Sequence, residues 1–286
     1  MSSVPPPPED PYHYQPFQQY YQSQQPEPAP RPGRRGRNGL VGTLLAILAA
    51  VWAYGKYAVL LVGKFGVLKT LITLVISFGV YALAFGPWFA AGLVVMILVH
   101  EMGHVLEIRR QGMKASAPLF IPFFGAAIFQ RQHPTDALKQ AQIGIAGPIA
   151  GTIGATAAFV LYGSTHMPVL LVWAYLGFFI NLFNLIPVGM LDGGWILAVV
   201  SKWFQLLGLA LLVGAVFFIG FSPIVLFIVL LGIPAVIDRF RNDQLPYYRA
   251  VPVPARLAMG AAWLFLTAFL GYAAFESHTM LSAIVG

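Results

Sequence analysis

Of the 286 residues, 58% are hydrophobic and only 9% are charged, and the mean hydropathy is +0.74. A soluble domain carries about a quarter charged residues, so this composition excludes one and points to a polytopic membrane protein. The absence of cysteine excludes disulfides and thiol chemistry. The formal charge of +7 reads as membrane topology rather than nucleic-acid affinity, because no separate basic domain or base-stacking platform stands out.

Residues 1–38 are rich in Pro, Gln, Tyr and Glu and end in the basic residues Arg31, Arg34, Arg35 and Arg37. Such a segment buries no core and is expected to be a disordered cytoplasmic tail. It does not read as a signal peptide, because it lacks a short apolar region with a small-residue cleavage site behind it. The run Pro5-Pro6-Pro7-Pro8 offers a polyproline II ligand to a partner, against the simpler reading of a solvated tail. Within 39–66, Leu40 to Gly55 is uncharged, but Lys56, Lys64 and Lys69 interrupt the apolar residues beyond it. An interfacial or re-entrant segment is expected there, with Trp52, Tyr54 and Tyr57 near the headgroups.

Residues 67–286 read as one membrane-embedded, all-α domain of about seven transmembrane helices, near 67–86, 88–107, 141–163, 168–188, 203–220, 222–237 and 256–275. Between the second and third, Ala115 to Phe129 is apolar and broken by Pro118, Pro122 and Gly125 at strand-like intervals. This predicts a membrane-immersed β-hairpin whose edge holds an extended substrate, or a loop that seals the site.

The second span ends in His100-Glu101-Met102-Gly103-His104, behind 30 residues from Thr70 to Val99 without a charged side chain. Two histidines four apart share one helix face and can bind one Zn²⁺ together, with Glu101 beside that face. Random composition yields this pattern roughly once in several hundred such sequences, and ionisable residues inside apolar spans are costly enough to be functional candidates. A zinc enzyme usually has a third protein ligand. Asp136, Asp238, Asp243 and Glu276 lie in polar stretches or near the C-terminus, whereas Asp192 sits in a hydrophobic segment interrupted by Pro187, Gly189, Gly193 and Gly194. A broken helix of this kind can turn a carboxylate inward, although Asp192 also suits a helix N-cap. Glu107 reads as a gate or, more simply, a solvated helix-end carboxylate, and Asn181 as a structural polar contact. His133, His166 and His278 have no paired donor.

His100-Glu101-Met102-Gly103-His104 followed by Asn184-Leu185-Ile186-Pro187-Val188-Gly189-Met190-Leu191-Asp192-Gly193 resembles the site-2 protease family of intramembrane zinc metalloproteases, whose signatures are HExxH and NxxPxxxLDG. Ala146-Gly147-Pro148-Ile149-Ala150-Gly151 is similar to that family's glycine-proline motif. The resemblance covers about residues 68–200. It implies one zinc held by His100, His104 and Asp192, with Glu101 as the catalytic glutamate. It also implies hydrolysis of a peptide bond within or near a transmembrane segment of single-span membrane-protein substrates. Asn184 can donate an amide hydrogen bond to the substrate backbone or a developing oxyanion, or instead bond a free carbonyl near Pro187. No loop is long enough for the PDZ or CBS modules of some members. The alternative is a zinc-binding scaffold or transporter without proteolytic activity. A structural zinc prefers four closed ligands and has no use for Glu101.

With a cytoplasmic N-terminus, the basic residues Arg109, Arg110, Lys114, Arg131, Lys139, Lys202, Arg239, Arg241, Arg249 and Arg256 all fall on the cytoplasmic side, as positive-inside topology requires. The metal then lies roughly 5–12 Å below that surface at 1.5 Å per residue, within reach of water. A bacterial cytoplasmic membrane is the expected location. Accessibility reporters at the N-terminus and within 108–140 and 238–250 are therefore expected to label from the cytoplasm and one at Gly286 from outside; opposite labelling at either end overturns this orientation.

Overall fold

The computed structural model describes residues 66–128, 132–219 and 223–285, so the expected tail and the 39–65 part of the interfacial segment lie outside the described residues. The apolar stretches are helices. Helix α1 (Gly66–Phe85) and α2 (Pro87–Arg110) are separated only at Gly86, whose φ of 90° lies in the left-handed region open to glycine, and Pro87 then starts α2 with its φ already helical. After the antiparallel strands β1 (Leu119–Ile121) and β2 (Gly125–Ala127) come α3 (Ala137–Thr165) and α4 (Pro168–Asn184). A non-helical break over 185–191 leads into the short α5 (Asp192–Ala198), then α6 (Lys202–Ile219), α7 (Pro223–Arg241), α8 (Pro246–Arg249) and α9 (Val253–Val285).

Among the described residues, four helices (α1, α2, α3 and α9) are long and apolar enough to cross a membrane. Helix α4, with 17 residues, and the 202–214 part of α6 are apolar but shorter. The seven expected spans are not confirmed: the described residues hold a helix in each expected region, the fourth ending at Asn184 rather than 188, and length and hydropathy qualify four of them as spans. This is the architecture of an integral membrane protein, and the burial pattern agrees. α2 packs among α1, α3 and α4, while apolar side chains on the outer helices are exposed, as with Leu83 on α1 at 93% and Phe265 on α9 at 73%. Exposed leucine and phenylalanine over whole helices suit a lipid surround rather than water.

The hairpin is held by α1. Leu119, Phe120 and Ile121 pair with Ala127, Ala126 and Gly125. Thr70 Oγ1 donates to the Pro118 carbonyl (2.6 Å), the Phe120 N–H donates to Thr73 Oγ1 (3.2 Å), and the Phe123 N–H donates to the Tyr81 hydroxyl (2.8 Å). Thr70, Thr73 and Tyr81 recur at helical spacing, so one face of α1 carries all three anchors. The turn places bulky Phe123 at a φ of 66°, and the Tyr81 ring meets it edge-to-face at 5.6 Å. The sheet expected from Pro118, Pro122 and Gly125 is therefore present. Its β1 side is occupied by α1.

The polar ends of the helices are tied separately. Arg239 is buried, donates to the Ala198 carbonyl (3.0 Å) and to Asp243 (2.8 Å), and stacks on Tyr248, while Lys202 reaches Asp243 at 3.0 Å. These hydrogen bonds from Arg239 and Lys202 hold the Asp243 carboxyl below the usual carboxylate range. Asp136 N-caps α3 by accepting from the Lys139 N–H at 2.9 Å. Both acids thus have structural partners away from the second span.

Candidate active site

Helix α2 turns His100 and His104 to the same side, and α5 brings Asp192 to them. His100 Nε2 and His104 Nε2 are 3.1 Å apart, and the Asp192 carboxylate lies 3.1 Å from the first and 3.3 Å from the second. All three residues are less than a tenth exposed. They form a group of donor atoms within 4.8 Å of one another, the only such His/Asp/Glu group among the described residues.

The hydrogen bonds behind the rings fix their protonation pattern. His104 Nδ1 lies 2.8 Å from the Ile143 carbonyl, which can only accept, so Nδ1 carries the proton. Behind His100, the Asn181 Nδ2 donates to the Gly177 carbonyl at 2.6 Å, which turns Asn181 Oδ1 to His100 Nδ1 at 2.8 Å. Nδ1–H is again the donor. In the neutral rings both Nε2 lone pairs then face each other and a carboxylate, an arrangement that repels itself unless a cation sits among them. The Asp192 Oδ2 is correspondingly buried without a hydrogen-bond partner despite its nearness to His100. Two nitrogens about 2.0–2.1 Å from a tetrahedral Zn²⁺ are about 3.3 Å apart, close to the separations seen here. The residues present fit the metal, with His100, His104 and Asp192 as three ligands.

The other sequence candidates divide by position. Glu101 is buried next to His100 in α2 and is outside the converging group. Asn184, the last residue of α4, donates to the Ile180 carbonyl at 3.0 Å, a helix-internal bond. Glu107 is paired with Arg110 at 2.6 Å and accepts from Gln111 at 2.7 Å. His133 is exposed, His166 caps α3 with a φ of 55°, and His278 lies against the Tyr175 ring at 5.6 Å. Asn181, expected to be a structural polar contact, is fully buried and makes that contact to His100 Nδ1. One signal pointed to it: a zinc-binding histidine needs an acceptor behind it, and Asn181 and Asn184 are the two carboxamides of the largely apolar α4. A cavity of about 430 Å³, lined by Gln140, Trp195, Gln205, Arg239, Tyr247 and Tyr248 among others, lies on another side of α5 and includes none of the three ligands.

Gly147 explains part of the glycine-proline motif. A Cβ there would overlap the His104 imidazole, so the bare backbone of α3 lets the ring lie flat on it. Gly147→Ala is expected to displace His104 and lower zinc affinity at least tenfold, while Gly163→Ala on the same helix, where a Cβ meets nothing within 4 Å, leaves it unchanged. Isothermal titration or chelator competition with zinc measures both; equal affinities in the two variants overturn the packing argument.

Comparison with known proteins agrees with this geometry. Residues 88–168 match the profile of peptidase family M50. A zinc metalloprotease of Methanocaldococcus jannaschii is 31% identical over 116 residues, which cover 38% of this chain and 33% of that protein. The chain thus spans about a third of the length of the curated relative it matches. The matched profile encloses His100, Glu101 and His104 as well as the glycine-proline motif, so the stretch that carries these motifs is similar to peptidase family M50.

Proposed function

We propose that this protein is an intramembrane zinc metalloprotease that hydrolyses a peptide bond within or near a transmembrane segment of single-span membrane proteins. One observation carries the reading: two histidine lone pairs and a carboxylate converge in a buried site with Glu101 beside them and outside the ligand set. Zinc in this site supplies Lewis acidity towards water and the scissile carbonyl. Glu101 takes the proton from the attacking water and returns it to the leaving amine, and its burial keeps that proton from bulk solvent. Asn184 steadies the substrate backbone or the developing oxyanion after its carboxamide turns away from Ile180. The cytoplasmic orientation follows from the basic ends of α2 and α7, at Arg109, Arg110, Arg239 and Arg241. Placed in a bacterial cytoplasmic membrane, the site is then reached by water from the cytoplasm.

An intact transmembrane helix does not expose a peptide bond to attack, so the substrate is held extended. The hairpin supports this on one side only. The Phe120 N–H points to Thr73, away from β2, so in the antiparallel ladder the backbone groups of its partner Ala126 point away from β1. We assign the outer edge of β2, at Ala126, as the edge to which the substrate strand adds.

Glu101→Gln is expected to keep zinc at one equivalent and lower cleavage of a single-span peptide by about 10²–10⁴-fold. His100→Ala, His104→Ala and Asp192→Ala lose zinc and cleavage together. Zinc analysis beside a cleavage assay separates the two classes, and zinc loss in a folded Glu101→Gln protein contradicts the role of base. For the hairpin, Ala126→Pro removes one outward N–H and is expected to slow cleavage about fivefold with zinc content unchanged, consistent with loss of one hydrogen bond of about 1 kcal/mol. A Gly or Pro near the scissile bond should instead speed cleavage, because less helix must be unwound. Indifference to both changes leaves the hairpin as a seal over the site.

A further inference from the structure

The ring of His100 is tied to a second helix by a side chain that belongs to neither zinc-ligand segment. His100 Nδ1–H donates to Asn181 Oδ1 at 2.8 Å, and the Asn181 Nδ2 is itself committed to the Gly177 carbonyl at 2.6 Å. Asn181 is 0% exposed, so the bond to His100 lies wholly inside the protein. On its other side lies Gly151 of α3, where a Cβ would overlap the Asn181 carboxamide. The carboxamide therefore occupies space that any other residue at 151 would take. His104 has a backbone carbonyl behind it, which substitution cannot remove. At His100 the corresponding acceptor is a replaceable side chain.

We propose that Asn181 is a positioning residue for the metal centre, holding His100 as the Nδ1–H tautomer with Nε2 aimed at Asp192, and that Gly151 is the gap in α3 that admits it. The inference rests on the zinc reading of His100, His104 and Asp192 and adds a residue outside both signature motifs. Outer hydrogen bonds of this kind fix the orientation and basicity of a zinc-bound imidazole, and their loss typically lowers metal affinity by about 10–100-fold. An aspartate at 181 retains an acceptor for Nδ1–H, whereas an alanine does not. A role limited to packing α4 against α3 would lower the thermal midpoint of the metal-free Ala variant, where a gap is left, without altering the ligand field of a metal bound by His100.

The test uses the full chain in detergent, with zinc affinity read by chelator competition, the ligand field of bound Co²⁺ read by absorption, and the thermal midpoint of the metal-free protein read in parallel. Asn181→Ala is expected to bind zinc about 10–100-fold more weakly and to change the Co²⁺ spectrum. Asn181→Asp is expected to stay within about threefold of the unsubstituted protein. Gly151→Ala should reproduce the loss by pushing the carboxamide aside, and the Asn181→Ala/Gly151→Ala double variant should bind no more weakly than the weaker single variant, because both remove one interaction. Unchanged affinity in Asn181→Ala, equal loss in the Ala and Asp variants at matched metal-free midpoints, or additive losses in the double variant each overturn the proposal. Failure of the unsubstituted protein to bind zinc instead overturns the metal reading itself, and the positioning role with it.

Discussion

Two imidazole lone pairs and a carboxylate pointed at one another in a buried site repel unless a proton or a metal ion sits among them. The surrounding structure enforces that arrangement from behind. The Ile143 carbonyl and the Asn181 carboxamide take the Nδ1 protons, leaving the Nε2 atoms bare and 3.1 Å apart. Charge and hydrogen bonding, rather than apolar packing, therefore decide what the centre of this helical assembly is for. The apolar packing decides how rigidly it is held.

That rigidity comes from close approach. α2 is the helix that α1, α3 and α4 surround, and it carries both histidines and Glu101. The His104 ring fits against α3 because residue 147 has no side chain, and the third ligand arrives on a short helix that starts only after the chain has broken over 185–191. Continuous helix across Pro187 would keep Asp192 on the α4 axis; the break frees it to turn inward. Irregular backbone and close contacts are thus concentrated where the ligands meet, and the outer helices α1 and α9 stay regular and present apolar side chains outward.

α1 has a second task. Its hydroxyls at Thr70, Thr73 and Tyr81 occupy the backbone groups of the hairpin that would otherwise be open on the β1 side. An apolar environment makes each such bond matter, since an unpaired N–H has no water to turn to. The small sheet is thus fastened along β1 and at its turn by three side chains of a neighbouring helix.

Much of this was legible in the residues themselves. The i, i+4 spacing of His100 and His104 places them on one face of any helix, and the absence of charge from Thr70 to Val99 places that helix among apolar surroundings. Asp192 stood out as an acid in an apolar stretch broken by Pro187 and glycines, and the positions of Pro118, Pro122 and Gly125 marked the hairpin. These are local properties of the chain. What only the tertiary structure decided were contacts between segments distant in sequence: that Asn181 faces His100 while Asn184 turns back on its own helix, that Gly147 and Gly151 are the gaps filled by His104 and Asn181, and that Thr73 closes one edge of the sheet. Helical periodicity says which residues share a face, but the rotation and separation of packed helices settle which of them touch.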